Sequence, residues 1–292
     1  LGLVEEELLK VVYALKVKSG AIGPGDDVDC FEMSDVYLCV NIDGFPAKGV
    51  MMPFMNLNDV GWRGVTASVS DLVAKGIKPS LSLFSLYGRS LDEIKEISRG
   101  VFEALRYYGL VFLGADSNEG EGAIDVVTMG TSRRLPPKLS GARDGDKVVL
   151  PRGCWGCVAK CLERGDVPPE AKMHCKRPRV KIELADVISR YSNYISASTD
   201  SSDSLAISLW RIAKKSNVSI EIYDIPKPDF VTYFQALYSG EDYLPILVVE
   251  EEFAEEIAEE IGGVVVGSVR SGSPRVLFRG NLVNAKGWEW FL

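Results

Sequence analysis

Both halves of the chain alternate short apolar runs with amphipathic stretches, and this restricts the fold more than any other feature. In the first half, residues 36–42, 81–87, 110–113 and 124–130 read as strands. Residues 4–16 and 59–75 read as helices, the second stopped by Gly76. Ser90 starts another helix with the capping-box pattern Ser90-x-x-Glu93. Ile94, Ile97, Val101, Leu105 and Tyr108 then repeat at helical spacing up to Gly109. Residues 131–146 are rich in Arg, Pro, Gly and Ser and read as a linker. Beyond it, strands are expected at 147–150, 194–198, 219–223, 244–249, 264–269 and 275–278. Helices are expected near 157–164 and 179–190, after residue 204, and at 230–238 and 251–261. The reading is an α+β protein of two αβ domains, 1–134 and 135–292.

Several function classes drop out on composition. No apolar run reaches the roughly 18 residues of a membrane helix. The first residues are acidic (Glu5, Glu6, Glu7) rather than basic, so no signal peptide and a cytoplasmic location are expected. Net charge is −8, and no basic cluster exceeds Lys176-Arg177-Pro178-Arg179, which argues against nucleic acid as a partner. His174 is the single histidine, so a Ser-His-Asp machine or a multi-histidine zinc site is nearly excluded. Gln235 is the single glutamine among many Glu, Lys and Arg, a compositional hint of a thermophile. Neither a P-loop nor the protein-kinase motif set is present.

The informative residues are aspartates. Asp43, Asp116 and Asp200 are each expected directly after an apolar strand. Asp26, Asp27, Asp203 and Asp242 fall in Gly/Ser-rich turns, and Asp71 lies in a helix after small residues. Strand ends and the loops they feed are where αβ proteins build sites. Converging carboxylates repel unless cations sit between them, and hard oxygen sites of that kind suit Mg²⁺ with substrate phosphates. The alternative is that each Asp only caps a helix or a turn. The cysteines leave three options open. Cys154-x-x-Cys157-x-x-x-Cys161 with His174-Cys175 offers thiolate and imidazole ligands for a metal, a disulfide, or small buried hydrophobes. Cys30 and Cys39 read as core or strand residues.

Eight segments occur in the order seen in thiamine-monophosphate kinase, of the PurM-like (AIR synthase-related) superfamily. They are Gly25-Asp26-Asp27; Asp43 after its strand; Gly61-Trp62-Arg63 running to Ser70-Asp71-Leu72-Val73-Ala74-Lys75-Gly76; Gly114-Ala115-Asp116-Ser117; Ser140-Gly141-Ala142-Arg143-Asp144-Gly145-Asp146; Asp200-Ser201-Ser202-Asp203; Gly240-Glu241-Asp242-Tyr243; and Gly287-Trp288-Glu289-Trp290-Phe291. The chain resembles that family over nearly its whole length. The resemblance implies an N-terminal PurM-like domain whose four-stranded sheet mediates a homodimer, a C-terminal αβ domain beside it, and a cleft holding ATP and several Mg²⁺ ions. It implies transfer of the γ-phosphate to thiamine monophosphate, giving thiamine diphosphate.

Position by position, the resemblance implies metal or metal–nucleotide ligands at Asp27, Asn41, Ile42, Asp43, Asp71, Asp116, Asp200 and Asp203. Nucleotide contacts are implied at Ala115, Asp116, Ser202 and Lys138, and acceptor contacts at Val50, Glu241 and Trp288. Asp26 is expected to be structural. The sequence departs from the family pattern at Ser204 and Ala115, where Gly is usual, and at Leu139, where relatives carry a nucleotide-binding Arg. Segment 45–51 lacks the family's acceptor-facing His, and Leu244-Pro245 ends a motif that otherwise continues Glu-Leu. These departures keep open a related ATP-using enzyme with another acceptor, and a nucleotide-binding dimer that has lost catalysis.

Overall fold

The computed structural model describes residues 3–15, 18–163 and 166–285. Helix α1 (Leu3–Ala14) is followed by β1 (Asp29–Met33), β2 (Val36–Pro46), α2 (Leu57–Ala74), β3 (Pro79–Gly88), α3 (Leu91–Tyr108), β4 (Val111–Glu119) and β5 (Ala123–Ser132). The second half contains β6 (Lys147–Pro151), α4 (Cys157–Leu162), α5 (Pro169–Lys176), α6 (Glu183–Arg190), β7 (Ile195–Thr199), α7 (Leu205–Ser216), β8 (Val218–Ile222), α8 (Tyr233–Tyr238), β9 (Ile246–Val249), α9 (Ala254–Glu260), β10 (Gly263–Ser271), β11 (Arg275–Phe278) and β12 (Asn281–Leu282). The first sheet runs β1-β2-β5-β3-β4 and the second β12-β11-β8-β10-β6-β9-β7.

The first sheet therefore has five strands where the family resemblance implied four. The extra strand, β1, arises because the Asp29 carboxylate accepts hydrogen bonds from the backbone N–H groups of Gly20, Ile22, Gly23 and Cys30. That folds the turn-rich segment back on itself. Ser34, at φ +55°, then turns β1 into β2, and Cys30 faces Cys39 across the hairpin in a disulfide.

Helix α2 is the centre of the molecule and is buried all round, from Asp59 to Ala74. Its small residues let neighbours approach closely. A Cβ at Gly61 would sit 2.1 Å from the Ile97 carbonyl oxygen of α3, and one at Gly100 would sit 1.8 Å from that of Asn58. One face of α2 covers the first sheet. On the other side the 177–180 segment crosses it: Trp62 Nε1 donates to the Pro178 carbonyl at 2.7 Å, and Tyr108 Oη accepts from the Val180 N–H at 3.2 Å. The largest apolar core accordingly mixes both halves, with Val65, Val69 and Val101 packed in one cluster with Val180, Ile188 and Leu247. Burial pushes the Tyr108 pKa up to about 12.

A helix start and a helix cap differ from expectation. The helix expected over 179–190 starts only at Glu183, because Arg177-Pro178 holds the chain extended across α2. Ser90 does cap α3 by accepting from the Glu93 N–H, but Glu93 reaches the Arg89 N–H instead of Ser90.

Candidate functional site

The site forms where one end of β2 and the C-terminal part of α2 meet the turn after β7. Asp43 lies inside β2, not after it, since the strand continues to Pro46. Asn41 and Asp43 are two residues apart and share the inner face of the sheet, against α2. Asn41 Nδ2 donates to Asp71 Oδ2 at 2.7 Å and to the Asp27 carbonyl at 2.8 Å, while its Oδ1 accepts from Ser68 Oγ at 2.7 Å. From the second half, Asp200 follows β7 and accepts a hydrogen bond from Ser70 Oγ on α2. Asp43 and Asp200, expected at strand ends, Asp27, expected in a turn, and Asp71, expected in a helix, thus interact across the two halves of the chain.

Their electrostatics record the crowding. Asp71 is held well above the ordinary carboxylate pKa by burial first, then by the charges of Asp200, Asp27 and Asp43. Burial, followed by Asp27, pushes Asp200 up to about 7. Lys75, just past α2, opposes this. Its Nζ contacts Asp26 Oδ1 at 2.6 Å and Asp27 Oδ2 at 3.1 Å and donates to the Ser198 carbonyl at 2.6 Å. Burial alone lowers an ammonium pKa, but Asp27 and Asp26 outweigh it and the Lys75 pKa lies above its ordinary value. Asp26 also accepts from the Leu139 N–H at 2.8 Å, which is the structural role expected for it.

Each acid has a local partner: Lys75 on Asp27, Asn41 on Asp71, Ser70 on Asp200, and Arg211 on Asp203 at 2.7 Å. So among the described residues no three carboxylate, thiolate or imidazole groups are already gathered as an ion cage. The donor set still fits Mg²⁺. It is all hard oxygen, and its mutual repulsion is relieved by added positive charge. The buried hydroxyls Thr199 Oγ1 and Ser201 Oγ, on both sides of Asp200, have no hydrogen-bond partner.

The Gly240–Tyr243 segment is laced to the Asp200–Asp203 turn. The Glu241 N–H donates to the Ser202 carbonyl at 2.6 Å and the Tyr243 N–H to the Ser201 carbonyl at 3.0 Å. Glu241 (φ +60°) and Tyr243 (φ +52°) both take the left-handed conformation, an arrangement that persists only where surroundings enforce it. Glu241 forms an ion pair with Arg63 of α2. Arg63 is buried, donates to the Val50 carbonyl at 3.3 Å and to Met55 Sδ at 3.2 Å, and lies 5.0 Å over the Phe45 ring. Val50 and Glu241, two expected acceptor contacts, are thereby joined through a residue that no role had been assigned. The signal for Arg63 and Lys75 was a charged side chain in a segment otherwise small and apolar.

Other expectations fare differently. Asp116 is exposed on β4 and hydrogen-bonds Asn118 at 3.0 Å. It pairs with Ser85, whose parity puts both on the outer face of the sheet, away from Asp43 and Asp71. Within one chain Asp116 therefore does not join the cluster, and the adjacent Ala115, opposite Phe84, is exposed. The Ile42 side chain points to that same outer face and is 68% exposed, leaving only its main chain for the inner site. Ser202 hydrogen-bonds Asp200, and the Lys138 carbonyl accepts from the Ser198 N–H at 3.0 Å. Trp288 lies outside the described residues. Ser204 caps α7 by accepting from the Ile207 N–H at 3.1 Å, so a hydroxyl satisfies a helix N–H where Gly is usual. The cysteines pair as Cys154–Cys157 and Cys161–Cys175, in line with the disulfide option.

Residues 25–133 match the family model for the AIR synthase related protein, N-terminal domain. The thiamine-monophosphate kinase of Pyrobaculum calidifontis is 30% identical over 268 residues, covering 87% of each chain. That of Pyrococcus abyssi is 30% identical over 283 residues, covering 91% of this chain and 89% of its own. The chain belongs to the thiamine-monophosphate kinase family. It is a kinase with the PurM-like fold. Among solved structures, tt0281 from Thermus thermophilus superposes with a TM-score of 0.85 at 28% identity, covering 96% of this chain and 98% of that one. AaThiL, solved with AMPPCP and TMP, has the same fold, with a TM-score of 0.81 at 24% identity over 99% of this chain and 97% of its own. Among the described residues no helix is long and apolar enough to cross a membrane.

Proposed function

We propose that this kinase transfers the γ-phosphate of ATP directly to thiamine monophosphate, giving thiamine diphosphate, in a Mg²⁺-dependent, in-line reaction in the cytoplasm. One observation carries the reading. Asp27, Asn41, Asp43 and Asp71 from the first half meet Asp200 from the second in a single buried acidic cluster. The names of the curated relatives support thiamine monophosphate as the acceptor.

Both substrates are anionic, and the acceptor oxygen is already ionised at neutral pH, so no strong general base is required. The demand is for charge neutralisation and alignment. Mg²⁺ held by Asp27, Asp43, Asp71, Asp200 and Asp203, with the main chain of Ile42, would neutralise the phosphates. The protein's own part is positional. Asn41 orients Asp71, Lys75 orients Asp27, and Ser70 orients Asp200. Ser202 and Lys138 flank this cluster as the nucleotide side. Val50 and Glu241 make the acceptor side, to which the family resemblance would add Trp288, a residue outside the described ones.

The family's homodimer is part of the proposal. The outer face of the first sheet displays Ile42, Leu83, Val111 and Asp116, and this is the face a second copy would cover. A second reading, a related enzyme with another acceptor, draws on one observation: the Glu241 carboxylate is already engaged by Arg63. One assay separates the two. Purified chain with ATP, thiamine monophosphate and Mg²⁺ forms thiamine diphosphate, and chelation abolishes it. ATP turnover with another phosphorylated acceptor and none with thiamine monophosphate would establish the second reading.

A further inference from the structure

Glu241 is held at three points. Its N–H donates to the Ser202 carbonyl, its carboxylate pairs with Arg63, and its carbonyl faces His174 Nε2 at 3.2 Å. The third contact comes from α5, which the Cys161–Cys175 disulfide ties to α4 one residue beyond His174. At the end of α5, Arg177 anchors the same helix to the first half through Asp59 at 3.2 Å and Glu103 at 2.8 Å. His174 is thus delivered to Glu241 by a braced element rather than by a free loop.

A carbonyl oxygen only accepts, so His174 Nε2 must carry the proton. Burial and then the Arg63 charge hold the ring pKa down at about 4, which keeps the imidazole neutral, and the Glu241 carbonyl selects its Nε2–H tautomer. Glu241 needs such a hold. Its left-handed backbone is unfavourable for a residue with a Cβ, and that conformation is the one in which its carboxylate meets Arg63, itself bound to the Val50 carbonyl.

We propose that His174 is a positioning residue for the acceptor: its Nε2–H fixes the Glu241 peptide so that the Glu241 carboxylate, with Arg63 and Val50, forms the face that receives a phosphate ester carrying a cationic heteroaromatic ring. The proposal rests on the reading of Glu241 as an acceptor contact. The segment after Asp43 holds no histidine, so the imidazole reaches this region from the other half of the chain.

His174 being the only histidine, an ¹⁵N-histidine spectrum contains one imidazole. The Nε2–H tautomer is expected throughout pH 5.5–8, and an Nδ1–H tautomer would overturn the proposal. Kinetics supply the second arm. His174→Phe keeps the ring volume without the donor, and His174→Gln keeps an N–H near the Nε2 position. In H174F the KM for thiamine monophosphate rises about 10-fold, the worth of one buried hydrogen bond, while kcat and the KM for ATP stay within about 2-fold. H174Q recovers most of that loss. An unchanged acceptor KM in H174F, or an equal rise in both KM values, overturns the positioning role. A wild-type chain that does not turn over thiamine monophosphate removes the acceptor reading itself, and is seen before any substitution is made.

Discussion

Lys75→Met tests the electrostatic design at its most buried cation. The Lys75 side chain is fully buried, and those of Asp26 and Asp27 are 5% and 9% exposed. Methionine keeps most of the aliphatic stem, so packing changes little and the charge is what is lost. Two carboxylates then remain buried beside Asp71 and Asp200, and the Ser198 carbonyl loses its donor. Removing one partner of a buried ion pair costs about 3–5 kcal/mol, because the abandoned charge keeps its desolvation penalty. For a chain of this length roughly 2 °C accompanies each kcal/mol, so Tm falls by about 6–10 °C in EDTA. Differential scanning calorimetry at pH 7.5 reads this directly. Added Mg²⁺ raises the Tm of K75M more than that of the wild type, since the ion meets more uncompensated carboxylate. A Tm within about 2 °C of wild type, or an equal response to Mg²⁺, would refute the assignment of Lys75 as the neutralising charge for Asp26 and Asp27.

Three further outcomes are expected. Asp71→Asn removes a carboxylate that its neighbours repel, so the metal-free protein keeps or gains Tm while phosphoryl transfer falls at least 10²-fold, read by melting and by steady-state assay on one preparation. In metal-free protein Asp200 binds its proton up to about pH 7 when folded but only to about 4 when unfolded. The folded state thus holds more protons between those values, and its contribution to stability is lost as pH rises through that window, giving a lower Tm in EDTA at pH 8 than at pH 5. Replacing Cys161 and Cys175 by Ser opens a link between residues 14 apart in sequence and costs about 3 kcal/mol in urea unfolding, against no change if the pair is not formed.

The strand–helix alternation was legible because each element carries its own period. Helix α3 announces itself from Ser90 to Gly109, and the structure agrees within a residue. Strand β1 was hidden because its pairing depends on a carboxylate, Asp29, gathering four backbone N–H groups from a turn that carries no strand pattern. Helix α5 was hidden because it buries only the small residues Ala171 and Cys175 and so shows no apolar stripe. In the site, the aspartates were legible as a set through the order of motifs, but not their placement. Asp43 and Asp116 look alike in sequence, each next to an apolar run, yet they lie on opposite faces of one sheet. The irregular register between Ser82 and Leu83, where β3 meets β4, breaks any parity count through Asp116. The contacts of Arg63 and His174 were illegible for another reason. Their partners, Glu241 and its carbonyl, lie 178 and 67 residues along the chain, and nothing local marks such a contact.

The central claim is that acids from both halves of the chain share the same cations. Mn²⁺ titration followed by electron paramagnetic resonance, with AMPPCP present, tests it in the wild type, Asp71→Asn and Asp200→Asn. Loss of the same tight ion in both variants, with folding intact, is the predicted result. Retention of every ion in either variant would contradict it.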